Sequence, residues 1–190
     1  MAKSKNSSLT AQLRRIKLFL CDVDGVLTDG SVFIGGERPP SPNSGAASEF
    51  KRFNIRDGLG MILAQRAGLK IGWVSARPSV VTEMRAKELK IDFLVQQGDD
   101  LSKVGAIEKL LAREKFTWDE VCFVGDDVVD LGPLAKAGLG VAVADARPQV
   151  KAAAHLVTDA VGGRGAVRET IEMILQAQKK WELVIALYRK

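Results

Sequence analysis

The 190-residue chain has one histidine, two cysteines and only 6% aromatic residues. Each scarcity closes off a class of chemistry. His155 sits just before the apolar "LVT" at a helix-to-strand junction. A packing role is expected there, and serine–histidine hydrolysis loses its usual base. Cys21 and Cys122 lie inside apolar runs with no metal-ligand spacing around either, so both read as small buried hydrophobes. No apolar stretch approaches the ~18 residues of a membrane span, and the opening "MAKSKNSSLTAQ" lacks the apolar core of a signal peptide. A cytoplasmic location is expected, with no membrane partner. There is no helix-turn-helix pattern, no aromatic–basic pattern for nucleic acid and no internal repeat. The net charge of +5 comes from lysines and arginines spread along the chain, which describes a solvated surface that attracts small anions rather than nucleic acid.

What is present is enough apolar sequence, 46% of residues, for one well-cored domain over 1–190. Residues 1–8 are polar and expected to fray, with a short helix over Leu9–Ile16. Apolar runs then alternate with helical patterns: "KLFLCDVD", "KIGWVS", "DFLVQQ", "EVCFVGDD", "LGVAVADA" and "HLVTDA" read as strands, with helices between them. That alternation predicts an α/β fold, a parallel sheet flanked by helices on both faces. Residues 31–54 interrupt it with strand-like ends around a Gly-, Pro- and Ser-rich middle, the pattern of a β-hairpin with a long tip. Residues 162–190 open with a glycine-rich turn and continue as an amphipathic helical tail.

Polar residues collect where such sheets bind ligands, at the carboxyl ends of strands. The first strand ends in "CDVDG", the second in "SARPS" and the fourth in "GDDVVD". Asp22 and Asp24 can divide labour as nucleophile and proton carrier, although their spacing alone does not force it. If the strand before "GDDVVD" lies beside the first, Asp22 and Asp126 converge. Carboxylates that close require a hard cation between them, and Mg²⁺ suits an all-oxygen site. Asp127 or Asp130 could instead cap the helix near Val128, and Asp130 is open to either role. A metal beside a carboxylate nucleophile points to phosphoryl transfer. Ser75 and Lys103 can then stabilise the transferred group, where singly they would read as an N-cap and a solvated first-turn lysine.

In this order the motifs resemble the haloacid dehalogenase superfamily: "DVDGVLTDG" its first motif, Ser75 its second, Lys103 its third and "GDDVVD" its fourth. The resemblance implies a Rossmann-like fold in which Asp22 attacks phosphorus. Asp24 would protonate the leaving oxygen and then activate water, and Mg²⁺ would be held by Asp22, the Asp24 carbonyl and Asp126. Together with "FNIRDGLGM", "RAKELKI", "GGRGAVRE" and "LQAQKKWELV", the motifs resemble the 3-deoxy-D-manno-octulosonate 8-phosphate phosphatases over nearly the whole chain. This implies a sugar-acid phosphate substrate and a homotetramer in which a small hairpin, in place of a cap domain, closes a neighbour's site. Thr28, Arg56, Asp57, Gly58, Ala76, Arg77 and Arg168 would then bind substrate, with Arg168 reaching its carboxylate. Only 52 residues separate Asp22 from Ser75 and 27 separate Ser75 from Lys103, so neither gap holds a lid domain. Trp181 and Leu183 are candidate subunit contacts. A nine-carbon ulosonate phosphate is the alternative substrate, and a receiver-type phosphoacceptor module or a silent scaffold is the alternative class.

Overall fold

The computed structural model describes residues 2–35, 48–96 and 103–189, with side chains from Leu9 onward. The chain runs α1 (Ala2–Arg15), β1 (Leu18–Cys21), β2 (Phe33–Gly35), β3 (Ser48–Phe50), α2 (Ile55–Arg66), β4 (Lys70–Ser75), α3 (Val80–Glu88) and β5 (Phe93–Gln96). It continues through α4 (Lys103–Glu114), β6 (Val121–Gly125), α5 (Leu131–Lys136), β7 (Leu139–Ala142), α6 (Pro148–Ala153), β8 (Leu156–Val157), α7 (Ala166–Ala177) and α8 (Trp181–Ala186).

All six segments expected as strands join one parallel sheet in the order β5-β4-β1-β6-β7-β8. Helices flank it, α1, α2 and α7 packing together and α4, α5 and α6 forming a second group. β1 lies between β4 and β6, and every residue of β1 and β6 is buried. Continuous apolar runs are what a strand covered on both faces requires. Cys21 is level with Trp73 and Val124, so the three polar strand ends emerge side by side. Both free thiols are enclosed, and burial pushes each well above its ordinary pKa. His155 accepts a hydrogen bond from the Gly140 N–H through Nδ1, 2.9 Å away, a structural use of the ring.

Two boundaries differ from the sequence reading. The first helix begins at Ala2, not Leu9, because no glycine or proline interrupts 2–15 and Leu13 anchors it in the core. The tail is two helices, not one. Lys179 turns to φ 58°, and the Gln178 amide donates to the Leu13 and Ile16 carbonyls, tying the break to the end of α1. The hairpin pairs β2 with β3 antiparallel, Phe33 opposite Phe50; its tip, 36–47, lies outside the described residues. Among the described residues no helix is long and apolar enough to cross a membrane.

The tail is fixed to the site end of the sheet through backbone. Gly162 lies so close to the loop after β1 that a Cβ on it would sit 1.8 Å from the Gly25 carbonyl oxygen. Beside it, the buried Asp57 carboxylate accepts from the N–H groups of Gly165 at 3.1 Å and Arg168 at 2.8 Å. α7 begins at a left-handed glycine with no side chain to cap it, so Asp57 of α2 serves as its cap from another helix. Asp57→Ala leaves two donors unpaired and is expected to cost roughly 2–3 kcal/mol. The melting midpoint should fall by roughly 5–10 °C, Asp57→Asn recovering part, as read by scanning calorimetry.

Candidate active site

The loop after β1 folds back on itself. Thr28, fully buried, accepts from the N–H groups of Gly25 (3.4 Å) and Gly30 (3.2 Å) and donates to the Val23 carbonyl at 3.4 Å. Gly25 has φ +98°, and a Cβ there would lie 2.1 Å from Asp126 Oδ2. The turn therefore admits only glycine, and its bareness lets the Asp126 carboxylate lie against it.

Asp22 follows β1 and is 6% exposed, with its N–H bonded to the Val124 carbonyl at 3.0 Å. Lys103, the first residue of α4, is 1% exposed. Its ammonium stands 2.7 Å from Asp22 Oδ1 and 2.7 Å from Asp130 Oδ1, so it is an enclosed counterion and not a solvated first-turn lysine. The other oxygen of Asp130 accepts from the Asp126 N–H at 3.0 Å. Asp22, Asp126 and Asp130 each offer an oxygen within 4.8 Å of the others.

Asp130 is committed on both oxygens, whereas Asp126 Oδ1 is buried without a hydrogen-bond partner. Three carboxylates face one ammonium here. An all-oxygen donor set with excess negative charge and an unpaired buried oxygen fits a hard divalent cation such as Mg²⁺ held by Asp22 and Asp126. Asp127 caps the turn that follows, accepting from the Val128 N–H at 2.7 Å.

Ser75 is 2% exposed at the end of β4. It does not cap α3; Ser79 does, accepting from the Thr82 N–H at 3.2 Å. The Ser75 hydroxyl instead closes its own turn, within 3.0 Å of the Arg77 carbonyl and 3.1 Å of the Arg77 N–H. Ala76 lies half-buried inside this turn. Asp24 is held by Lys51 at 2.8 Å and lies 3.6 Å from Arg77, whose guanidinium is 2.6 Å from Glu49.

The remaining sequence candidates divide. Arg56 is exposed at the start of α2. Gly58 is a packing position, where a Cβ would meet Arg85 at 2.8 Å and Leu89 at 3.3 Å. Thr28 and Asp57 spend their polar atoms inside the fold, as described. Arg168 pairs with Glu172 and stacks its guanidinium 5.3 Å from the centre of the Trp181 ring. Trp181 thus packs on its own domain, while Leu183 remains exposed.

Residues 97–171 match the haloacid dehalogenase-like hydrolases. The 3-deoxy-D-manno-octulosonate 8-phosphate phosphatase of Yersinia pestis is 40% identical over 167 residues, 88% of this chain and 83% of the relative. The chain belongs to this phosphatase family. Solved structures extend the likeness to the whole fold. A subfamily III A hydrolase of the HAD superfamily from Legionella pneumophila superposes with a TM-score of 0.88 at 35% identity, covering 99% of this chain and 97% of that one. The Moraxella catarrhalis 3-deoxy-D-manno-octulosonate 8-phosphate phosphatase, solved with magnesium, phosphate and KDO, gives 0.86 at 32% identity, covering 96% and 98%.

Within this family phosphatase, sequence reasoning passed over Lys51, which pairs with Asp24, and over Thr82 and Glu49, which bond Lys51 and Arg77. The available signal was the alternation of "SEFK". Glu49 and Lys51 share one side of the hairpin arm, and Phe50, 63% exposed, takes the other.

Burial and the charge of Asp130 push Asp22 up to about 7 although Lys103 pulls the other way. Burial and the charges of Asp22, Asp130 and Asp127 push Asp126 up to about 8. For Lys103, burial alone would lower the value, but Asp22 and Asp130 outweigh it and hold it above the ordinary lysine. Both raised carboxyls lie above their unfolded values near 4. The metal-free native state therefore keeps protons that the unfolded chain has released, and its stability falls as pH rises from about 4 toward 8. A bound cation replaces those protons. Mg²⁺ affinity is expected to rise between pH 6 and pH 8 with proton release, counted by titration calorimetry in two buffers of different ionisation heat. A pH-independent affinity with no proton release would show the cluster already ionised.

Proposed function

We propose that this chain hydrolyses the phosphate ester of a sugar acid, 3-deoxy-D-manno-octulosonate 8-phosphate, with Asp22 as nucleophile. One observation carries the reading. Asp22 is enclosed at a strand end against Lys103 and beside Asp126, whose buried oxygen has no partner. Asp22 attacks phosphorus and the ester oxygen leaves with a proton from Asp24. Water then attacks the aspartyl phosphate while Asp24 takes its proton back. Lys103 fixes the attacking carboxylate, and Ser75 with the turn through Ala76 offers a hydroxyl and main-chain N–H groups to the phosphoryl oxygens. Mg²⁺, held by the Asp22 and Asp126 carboxylates and the Asp24 carbonyl, would neutralise charge on the transferred group.

The substrate assignment rests on the relatives, one of them solved with magnesium, phosphate and KDO. Arg77 and Arg56 stand exposed to meet the substrate. Arg168 is the candidate for its carboxylate from its own or a neighbouring subunit, since a guanidinium matches a carboxylate with two parallel bonds. Thr28, Asp57 and Gly58 support the loops instead. The proposal includes a homotetramer built on the hairpin, where Phe33, Ile34, Phe50 and nearby Ile55 are 63–81% exposed. It also includes a cytoplasmic location, in keeping with two free thiols.

Phosphate release from a panel of sugar and sugar-acid phosphates, with Mg²⁺ and with EDTA, tests the reading. The eight-carbon ulosonate phosphate should give the highest kcat/KM, EDTA should abolish release, and Asp22→Asn should fall to the blank while its melting curve survives. A preference for a nine-carbon ulosonate phosphate moves the substrate but keeps the chemistry. Turnover by Asp22→Asn removes the nucleophile. Phe33→Asp should shift the protein to smaller species in light scattering with loss of activity if the hairpin closes a neighbour's site.

A further inference from the structure

Beside the Asp22 cluster, a second ammonium is shut away from water. The Lys51 side chain is 0% exposed, and it stands just past β3 on the hairpin arm. Its nitrogen lies 2.8 Å from Asp24 Oδ1, 3.1 Å from Asp24 Oδ2 and 3.1 Å from the Thr82 hydroxyl on α3. An enclosed ammonium is strongly disfavoured unless paired, so this geometry is built around the Asp24 carboxylate. Among the described residues Arg77 also pairs with Asp24, but it is 45% exposed, stands 3.6 Å away and lies closer to Glu49.

We propose that Lys51 is the positioning residue for Asp24, fixing the carboxyl that exchanges protons with the leaving oxygen and with water. The inference rests on the phosphatase reading above. In the first half-reaction the bond between phosphorus and the ester oxygen breaks, the bond to Asp22 forms, and the leaving oxygen takes the Asp24 proton. The carboxylate left behind faces an ammonium already in place, which stabilises the charge without reorganisation. In the second half water bonds to phosphorus, the bond to Asp22 breaks, and Asp24 takes the water's proton. Each transfer needs the Asp24 oxygen within hydrogen-bond reach of the proton it moves. Thr82, fully buried on α3, gives the ammonium a second anchor on another element.

The leaving group separates this role from a structural bolt. A sugar alkoxide needs a proton to depart, whereas p-nitrophenolate leaves without one. Lys51→Met is expected to lower kcat on the ulosonate 8-phosphate by ~10- to 100-fold, part of the 10²–10⁴ that proton transfer supplies. KM should stay unchanged, and so should the single-turnover rate at which p-nitrophenyl phosphate expels p-nitrophenolate, the one step here that needs no proton from Asp24. Lys51→Arg should restore part of the loss, and adding Lys51→Met to Asp24→Asn should lower the rate no further. Should Lys51→Met fail to fold, Thr82→Val, which keeps the charge and removes its second anchor, should show the same selectivity at smaller size. Equal loss in the steps that expel the sugar and p-nitrophenolate, a further loss in the Asp24→Asn background, or an unselective or absent effect of Thr82→Val overturns the assignment. A wild-type enzyme that releases no phosphate from either ester overturns the phosphatase reading itself, and this inference with it.

Discussion

The ammonium of Lys103 sits 2.7 Å from oxygens of both Asp22 and Asp130, and none of the three side chains is more than 8% exposed. Without the lysine, two buried carboxylates would face each other at the centre of the sheet, and removal of one partner from such a pair strongly destabilises a fold. Lys103 therefore determines where α4 can start. Its nitrogen must reach the end of β1, so the first turn of α4 has to lie over the strand ends. Asp130 answers from the opposite side, taking the Asp126 N–H and so orienting the residue that faces Asp22. One lysine organises α4, the loop after β6 and Asp22 together. Once all three carboxyls are ionised, its single positive charge leaves the cluster negative, which is the condition a divalent cation satisfies.

A second constraint is close approach of backbone. Asp126 can lie over Gly25 only because no Cβ intervenes, and the tail passes the same loop closely at the neighbouring glycines Gly162 and Gly163. The site loop is thus clamped between the β6 loop and the glycine-rich turn, with Thr28 filling its interior. Thr28 and Asp57, read from the sequence as substrate contacts, spend their polar atoms on this clamp, while Gly58 packs against Arg85 and Leu89. Asp57 is the clearest case, because its carboxylate is consumed by two N–H groups of α7. A motif residue near a site can be required by the site's frame without touching a ligand.

The strands were legible because burial on both faces demands unbroken apolar runs, and "LFLC", "VCFV" and "KIGWVS" are such runs. The meeting of Asp22 and Asp126 was conditional on β1 lying beside β6, an adjacency that the sheet order supplies. Ser75 and Lys103 gained meaning only as members of a set, since neither residue type at a helix or strand end is distinctive. Lys51 stayed invisible for a different reason. Its partners Asp24 and Thr82 are 27 and 31 residues distant, on two other elements, and no local periodicity encodes that meeting. The break at Gln178–Lys180 was likewise hidden, because "AQKKW" continues a helical pattern until Gln178 bonds carbonyls at the end of α1.

The hairpin joins these constraints. With no room for a cap domain on either side of Ser75, the arm carrying Glu49, Phe50 and Lys51 is what the chain can bring over the strand ends. Its polar side enters the site, Glu49 bonding the Ser79 hydroxyl at 2.7 Å and pairing with Arg77, Lys51 holding Asp24. Its apolar side, with Phe50, faces outward. Alternation along a strand makes these two demands inseparable: a one-residue slip would turn Phe50 onto Asp24 and Lys51 into solvent. Whatever packs against the outer face therefore also fixes the register that presents Lys51. On the proposed function, a minimal lid of this kind would couple assembly at one face to proton transfer at the other, without a conformational relay between them.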